Sequence, residues 1–199
     1  RLVIILDKMK KLVSGNDYVT PDIAAKSGIS KYNFYKYIHE NEFEQVGHGI
    51  YASRDEWVDE LYILHQRCPK AVFSHDEAFY YHGLTDREPF VHTITIYSGY
   101  NAHRLVADGS CKVYTVKKEL LDIGKKIVTD NYGNVIPMYD LERTVCDLVR
   151  NRNSIEVQEF QSALKGYVSR KDKNLNRLME YAQLFRVHNV IRKYMEVLL

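Results

Sequence analysis

The stretch IAAKSGISKYNFYKYI, Ile23 to Ile38, holds two short apolar patterns hinged at Gly28. Just upstream, Thr20-Pro21-Asp22 reads as a capping residue with proline at the first helical position, so a short helix is predicted through Ala24, Ala25 and Lys26. Gly28 takes positive φ without steric cost and can end that helix in a tight turn. Ser30 stands where a side-chain oxygen caps the next helix. There Phe34, Tyr37 and Ile38 share one face and leave Lys31, Tyr32, Asn33, Tyr35 and Lys36 outside. A small Ala24 lets the two helices approach, Ile29 anchors the turn, and Phe34 plugs the back of the second helix. This is helix-turn-helix spacing.

A helix mounted in this way fits the major groove of B-DNA with its N-terminal residues at base edges. Ser30 and Lys31 then fall near phosphates, and Tyr32, Asn33 and Lys36 are the candidates for bases. Asparagine suits adenine in a bidentate contact, and lysine suits guanine. The plainer reading is a helical hairpin whose outer face is merely solvated. The next segment favours DNA. FEQVGHGIYAS, Phe43 to Ser53, reads as strand, Gly-His-Gly turn and strand, and a hairpin directly after a recognition helix is a wing. Gln45 and His48, assigned to its tip, can reach phosphates or a minor groove, although a solvated turn residue describes His48 equally well. With a helix over 1–14 (Leu2, Ile5, Leu6, Met9, Leu12, Val13), residues 1–53 are expected to form a winged helix-turn-helix inside a first domain of 1–66.

Downstream the pattern changes. Trp57, Leu61 and Leu64 predict a connecting helix that Pro69 breaks. Ser74 and Glu77 read as a capping box, and Gly83 ends the helix after it. Strands are predicted over 91–97 and 111–116, and over 127–129 and 135–138 around the hairpin signal Asn131-Tyr132-Gly133-Asn134. Asp140 caps a helix to Arg150. Asn153 and Glu156 suggest a second capping box, with helices over 154–167, 171–185 and 188–199. The last carries Val187, Val190, Ile191, Tyr194, Met195 and Leu198 at helical intervals. The expected fold class is α+β: the winged module, then a mixed domain over 67–199 with a small sheet and a helical tail.

Composition sets bounds. The 199 residues are 45% hydrophobic and 27% charged, with net charge +2, which is ordinary for a globular protein. The charge is unevenly spread. Residues 1–36 carry seven Lys/Arg against three Asp, residues 37–66 one Arg against seven acids, and residues 165–193 eight Lys/Arg against two acids. No apolar run is long enough for a membrane span and nothing resembles a signal peptide, so no membrane partner is expected. The first residue is Arg rather than Met, which suggests that a few native residues are missing. Cys68, Cys111 and Cys146 are odd in number and widely spaced, as expected of reduced thiols in a cytoplasm.

Catalytic signatures are sparse. His75 and His82 lie seven apart, a poor spacing for two metal ligands on one helix face, and read better as capping or core residues. His65-x-x-Cys68 stands alone. No Cys-x-x-Cys, phosphate-binding loop or nucleophile elbow is present, and no Glu-x-Lys follows Asp86 and Glu88. Arg143 and Asp147, at i and i+4, read as a structural ion pair. No enzyme activity, metal or cofactor is expected. Arg170, Lys171, Lys173 and Arg177, with Arg186, Arg192 and Lys193, form either a solvated basic face or a second electrostatic surface for DNA flanks, an acidic protein or an RNA.

Taken in order, the helix-turn-helix, Ser74-His75-x-x-Ala78, His82-Gly83-Leu84, Glu142-Arg143-Thr144-Val145-Cys146-Asp147 and the helical end resemble AbiEi-type antitoxins of abortive-infection toxin–antitoxin systems. The resemblance covers nearly the whole chain. It implies a repressor that binds inverted repeats of double-stranded DNA in its own operator. It also implies a C-terminal domain that counters a nucleotidyltransferase-like toxin without a stable complex. A chain that is monomeric in solution and pairs on DNA is the expected state, since helix-turn-helix proteins pair half-sites with two protomers. The alternative is a winged-helix regulator whose second domain senses a ligand or dimerises.

Overall fold

Thr20 and Pro21 start the second helix of the chain: the Thr20 hydroxyl accepts the Ile23 amide at 3.2 Å and Pro21 occupies the first turn. The computed structural model describes residues 2–54, 57–107, 109 and 111–199, without the side chains of Leu2 and Arg104. Its contacts fall into two units, 1–69 and 70–199. The first contains α1 (Leu2–Ser14), α2 (Pro21–Lys26), α3 (Lys31–Glu40), β1 (Phe43–Gly47), β2 (Ile50–Ser53) and α4 (Glu60–Arg67). Gly28, at φ 75°, closes the turn after α2. Its amide reaches the Ala25 carbonyl and that of Ile29 reaches Ala24, both at 2.9 Å. Ser30 accepts the Asn33 amide at 3.3 Å and caps α3.

The core of this unit follows the sequence pattern. Met9, Leu12, Val19, Ala24, Ile29, Phe34, Tyr37 and Ile38 are buried together. Leu6, counted in the apolar stripe of α1, is instead exposed beside Val3 and Ile4, and the Leu2 side chain lies outside the described residues. β1 and β2 pair antiparallel with an irregularity between Gln45 and Gly47. Tyr51 of β2 also exchanges backbone hydrogen bonds with Val19, tying the hairpin to the loop before α2. A Cβ on Gly47 would sit 2.9 Å from Ile63 Cγ2, so glycine lets the hairpin rest on α4. That helix starts later than the sequence suggests. Asp59 caps it, and Trp57 is left exposed ahead of it.

The second unit holds β3 (Val72–Phe73), α5 (Asp76–Tyr81), β4 (His92–Tyr97), α6 (His103–Val106), β5 (Cys111–Val116), β6 (Lys125–Thr129), β7 (Val135–Tyr139), α7 (Leu141–Arg150), α8 (Val157–Ser169), α9 (Leu175–Leu184) and α10 (His188–Leu198). Five strands form one mixed sheet in the order β5-β4-β3-β7-β6. β3 is antiparallel to β4 and parallel to β7, and β4 is parallel to β5. The two-residue β3 carries no periodic signal, yet it joins the halves of the sheet. The predicted strands and the Asp140 cap agree with the structure: Asp140 accepts the Arg143 amide at 2.9 Å.

Neither predicted capping box forms. Ser74 Oγ is occupied by the Thr95 hydroxyl at 2.7 Å and by His75 Nδ1 at 2.9 Å, and His75 takes the cap position of α5 without a side-chain cap bond. Residues 152–154 make a 3₁₀ turn, so α8 begins only at Val157, and no side chain at Glu156 caps it.

α7 is the axis of this unit. Every residue from Leu141 to Val149 is buried. Its apolar members join residues of α8, α9 and α10 in the main core, where Tyr167, Leu178, Ala182 and Ile191 are fully enclosed. The Arg143–Asp147 pair is therefore interior, not the surface pair that i,i+4 spacing usually marks. Its Nε lies 3.2 Å from Asp147 Oδ2, and Nη1 donates to the carbonyls of Leu120 and Ile123 at 3.0 and 2.6 Å. The guanidinium carbon is 3.8 Å from the Tyr139 ring centre and 4.0 Å from that of Phe185. Gly124 makes room for this group: it sits at φ 76°, and a Cβ there would lie 2.5 Å from Arg143 Cβ. Gly124→Ala combines left-handed strain with that clash and should cost about 2–4 kcal/mol, read as a lowered midpoint in urea denaturation. A change under about 0.5 kcal/mol would mean that the 121–124 loop does not hold Arg143 closely.

Candidate nucleic-acid interface

The outer face of α3 is built by the capped start at Ser30 and the apolar back formed by Phe34, Tyr37 and Ile38. Lys31, Tyr32, Tyr35 and Lys36 are exposed, Tyr32 at 75% and Tyr35 at 44%. Asn33 is half-buried. The first turn holds Lys31 and no acid, the reverse of what the helix dipole favours. A phosphate placed there would meet both the free amide ends and the ammonium. Lys36 Nζ is 3.9 Å from Glu40, with both side chains about half exposed. Such a pair contributes little and leaves the lysine available.

Tyr51 belongs to this surface and is not singled out by the sequence pattern. Its ring meets Phe34 edge-on at 5.7 Å and Tyr35 at 6.0 Å. Burial pushes its hydroxyl pKa up, with neighbouring Tyr35 adding to the shift. Strand β2 therefore braces one of the exposed aromatic residues of α3. The signal for it was the alternation Ile50, Tyr51, Ala52, in which Tyr51 falls on the face opposite the buried pair.

The hairpin differs in one respect from the sequence reading. His48 is exposed in the turn beside Gly49, which takes φ 70°. Gln45 is not at the tip: it pairs with Tyr51 in mid-strand, although its side chain is exposed.

The second basic group, in the other unit, is largely used by the fold. Arg170 forks onto Asp172 at 2.8 and 2.7 Å and donates to the His82 carbonyl at 2.6 Å. Lys173 donates to the Arg170 carbonyl at 3.0 Å. Arg177 lies 4.0 Å from Glu142, a buried carboxylate that also accepts the Asn174 amide at 2.8 Å. Lys171 is exposed and has no ion pair among the described residues. These partners occupy Arg170, Lys173 and Arg177, and they leave Lys171 as the freest of the four.

Three of the histidines, His75, His82 and His92, also have structural partners. His75 is buried at φ 52° and its ring stacks on Tyr114 at 3.4 Å. Asn151 Nδ2 donates to the Asp147 carbonyl at 2.9 Å, which orients the amide so that its other hydrogen points at His75 Nε2, 3.0 Å away. Nε2 thus accepts, and Nδ1 carries the proton that goes to Ser74 Oγ. A histidine in this tautomer cannot take a proton from Ser74, and Ser74 itself is fully buried. The Ser74–His75 contact is therefore not a nucleophile and its base. Burial lowers the His75 pKa to about 4, with Arg150, Arg143 and Lys112 acting in the same direction and Asp147 against. His82 Nε2 meets the Tyr139 carbonyl at 2.8 Å, and burial lowers its pKa as well. Glu77 pairs with His92 Nδ1 at 2.9 Å.

Among the described residues no group of three or more His, Cys, Asp or Glu is placed to hold a metal, and no helix is long and apolar enough to cross a membrane. No protein-family model matches the chain, and no curated protein matches it.

Two measurements test these assignments. His75 is neutral in the fold and protonates near pH 6.5 when unfolded, so its contribution is intact above pH 6.5 and is lost as pH falls toward 4. The stability advantage of the parent over His75→Gln should shrink across that window by up to about 3 kcal/mol, followed by urea denaturation at each pH. An advantage that grows on acidification would contradict the neutral tautomer. In the tail, Arg170→Ala should cost about 1–3 kcal/mol, whereas Lys171→Ala should stay within about 0.5 kcal/mol. Equal effects would mean that Arg170 is not tied to His82.

Proposed function

We propose that the chain is a DNA-binding repressor of its own operon that also acts as an antitoxin. Residues 1–69 are the operator-binding module: α2 and α3 form the helix-turn-helix, and β1–β2 the wing. The observation that carries this reading is the face of α3. Five polar or aromatic side chains, Lys31 to Lys36 without Phe34, stand on one short helix whose opposite side is fully committed to the core. Its first turn places a lysine where the helix dipole disfavours one. A duplex in front of that turn supplies the phosphates that make this arrangement favourable, with Ser30 and Lys31 on the backbone and Tyr32, Asn33 and Lys36 toward base edges. Tyr35 contacts the duplex while resting on Tyr51, and Gln45 and His48 lie on the hairpin side.

The antitoxin half of the proposal rests on the resemblance of the second unit to AbiEi-type antitoxins. Of the residues that carry it, Ser74, His75, Ala78, Leu84 and the run from Glu142 to Asp147 are buried here. They specify the domain, and its surface then does the work of countering a nucleotidyltransferase-like toxin in a cytoplasm.

Gel-shift titration across the region upstream of the gene tests the first half. The protein should select an inverted repeat, two protomers per site. Asn33→Ala should weaken binding by about 1–3 kcal/mol and relax specificity at one position, whereas Lys31→Ala should weaken all sequences alike and lower the salt slope by about one. Equal affinity for promoter and unrelated duplex would reject the repressor reading. A growth assay with the neighbouring toxin gene tests the second half. A Tyr32/Lys36 double alanine variant should lose repression and keep rescue, and loss of both in a folded variant would reduce antitoxicity to transcriptional silencing.

A further inference from the structure

Between the loop that follows α5 and the start of α8, the second unit carries an open trough. One lobe of about 520 Å³ has Phe79, Leu84, Leu148 and Ala163 among its apolar lining, and Pro89, Phe90 and Val91 form its other side. A second lobe of about 450 Å³ continues along α8 past Gly83, Ser162 and Gly166. The lobes share Leu84, Thr85, Arg87, Glu156 and Glu159, so they form one elongated groove.

Two features set this groove apart. Phe90 is 100% exposed, and Val91, next to it in the chain, is also exposed. A phenylalanine with its whole surface in water has no folding reason to be there. The second feature is charge. Residues 70–199 carry 19 Lys/Arg and 16 Asp/Glu, net +3. The groove gathers Asp76, Asp86, Glu88, Glu156 and Glu159 against Arg87 and Lys112, net −3. Among the described residues only Glu159 has a hydrogen-bond donor, the Thr85 hydroxyl at 3.4 Å. Among the described residues the carboxylates of Asp86, Glu88 and Glu156 have no partner. An acidic groove on a basic domain repels nucleic acid and selects cationic surfaces.

We infer that this groove docks an exposed segment of a partner protein, with an apolar side chain set against Phe90 and the floor of the first lobe and Lys or Arg on either side of it. The elongated, open shape suits a peptide segment laid along α8. The cations of the segment face Glu88 at one rim and Glu156 and Glu159 at the other. This inference is independent of the DNA-binding reading, because it uses no residue of the first unit.

The test is panning of a phage-displayed random dodecamer library on the full chain, followed by fluorescence anisotropy with one selected peptide made synthetically. Enriched peptides should hold an aromatic or aliphatic anchor with Lys or Arg within four positions. Binding should weaken about tenfold in Phe90→Ala and in the triple variant Glu88→Gln/Glu156→Gln/Glu159→Gln, and should fall with added NaCl. Because Phe90 is wholly exposed, its alanine variant keeps the fold, which an unchanged thermal midpoint verifies. Selection of neutral or acidic peptides, no selection at all, or unchanged affinity in both variants would overturn the inference. So would a concentration-dependent increase in mass, measured by light scattering, that the triple variant abolishes. That result would assign the groove to a second copy of this chain.

Discussion

A single buried guanidinium organises the larger unit. Arg143 is wholly enclosed, and an isolated charge in such a place is prohibitively costly unless its surroundings are arranged around it. Asp147 neutralises it from one turn further along α7, two carbonyls of the 120–123 segment receive its Nη1, and the rings of Tyr139 and Phe185 cover its faces. Apart from Asp147, the contacts come from three other parts of the chain: the end of β7, the loop before β6, and the C-terminus of α9. Accommodating one charge therefore fixes where the sheet, the loop and the helical tail meet. Asp147 in turn reaches Arg150 at 3.2 Å, and Asp140 accepts the Tyr181 hydroxyl at 3.1 Å, so both ends of α7 are tied down by polar bonds.

The same network shows what sequence can and cannot convey. An arginine four residues before an aspartate looks identical on a solvent face and on a buried one, since helical spacing records proximity and not exposure. Ser74 and Glu77 match a capping box in letters, but Thr95 and Glu77's partner His92, both on β4, claim those side chains first. β3 is too short for alternation to register, although the mixed sheet hinges on it. In contrast, the capping bonds of Thr20, Ser30 and Asp140 and the turn at Gly28 reach residues no more than five positions away, and all of them are where the pattern put them. Local chemistry was legible; long-range competition for the same side chains was not.

The α3 face was legible for the same reason. Its exposure follows from the periodicity of Phe34, Tyr37 and Ile38, and its start from the Ser30 cap. Tyr51 escaped because its role depends on a strand folding back against the helix. The basic tail was only half legible: the charges are present, but Asp172, the His82 carbonyl and Glu142 take up Arg170 and Arg177. The proposal consequently places recognition on the small N-terminal unit and leaves Arg170 and Arg177 to the architecture of the second.

That division has a direct test. Backbone amide resonances of the isotopically labelled chain, followed by heteronuclear NMR during titration with a duplex from upstream of its own gene, report which surface meets DNA. The account predicts shifts concentrated at residues 30–36, with smaller changes at 45–51 and none beyond the noise at 170–193. Shifts centred on 170–193, with the amides of 30–36 unmoved, would contradict it.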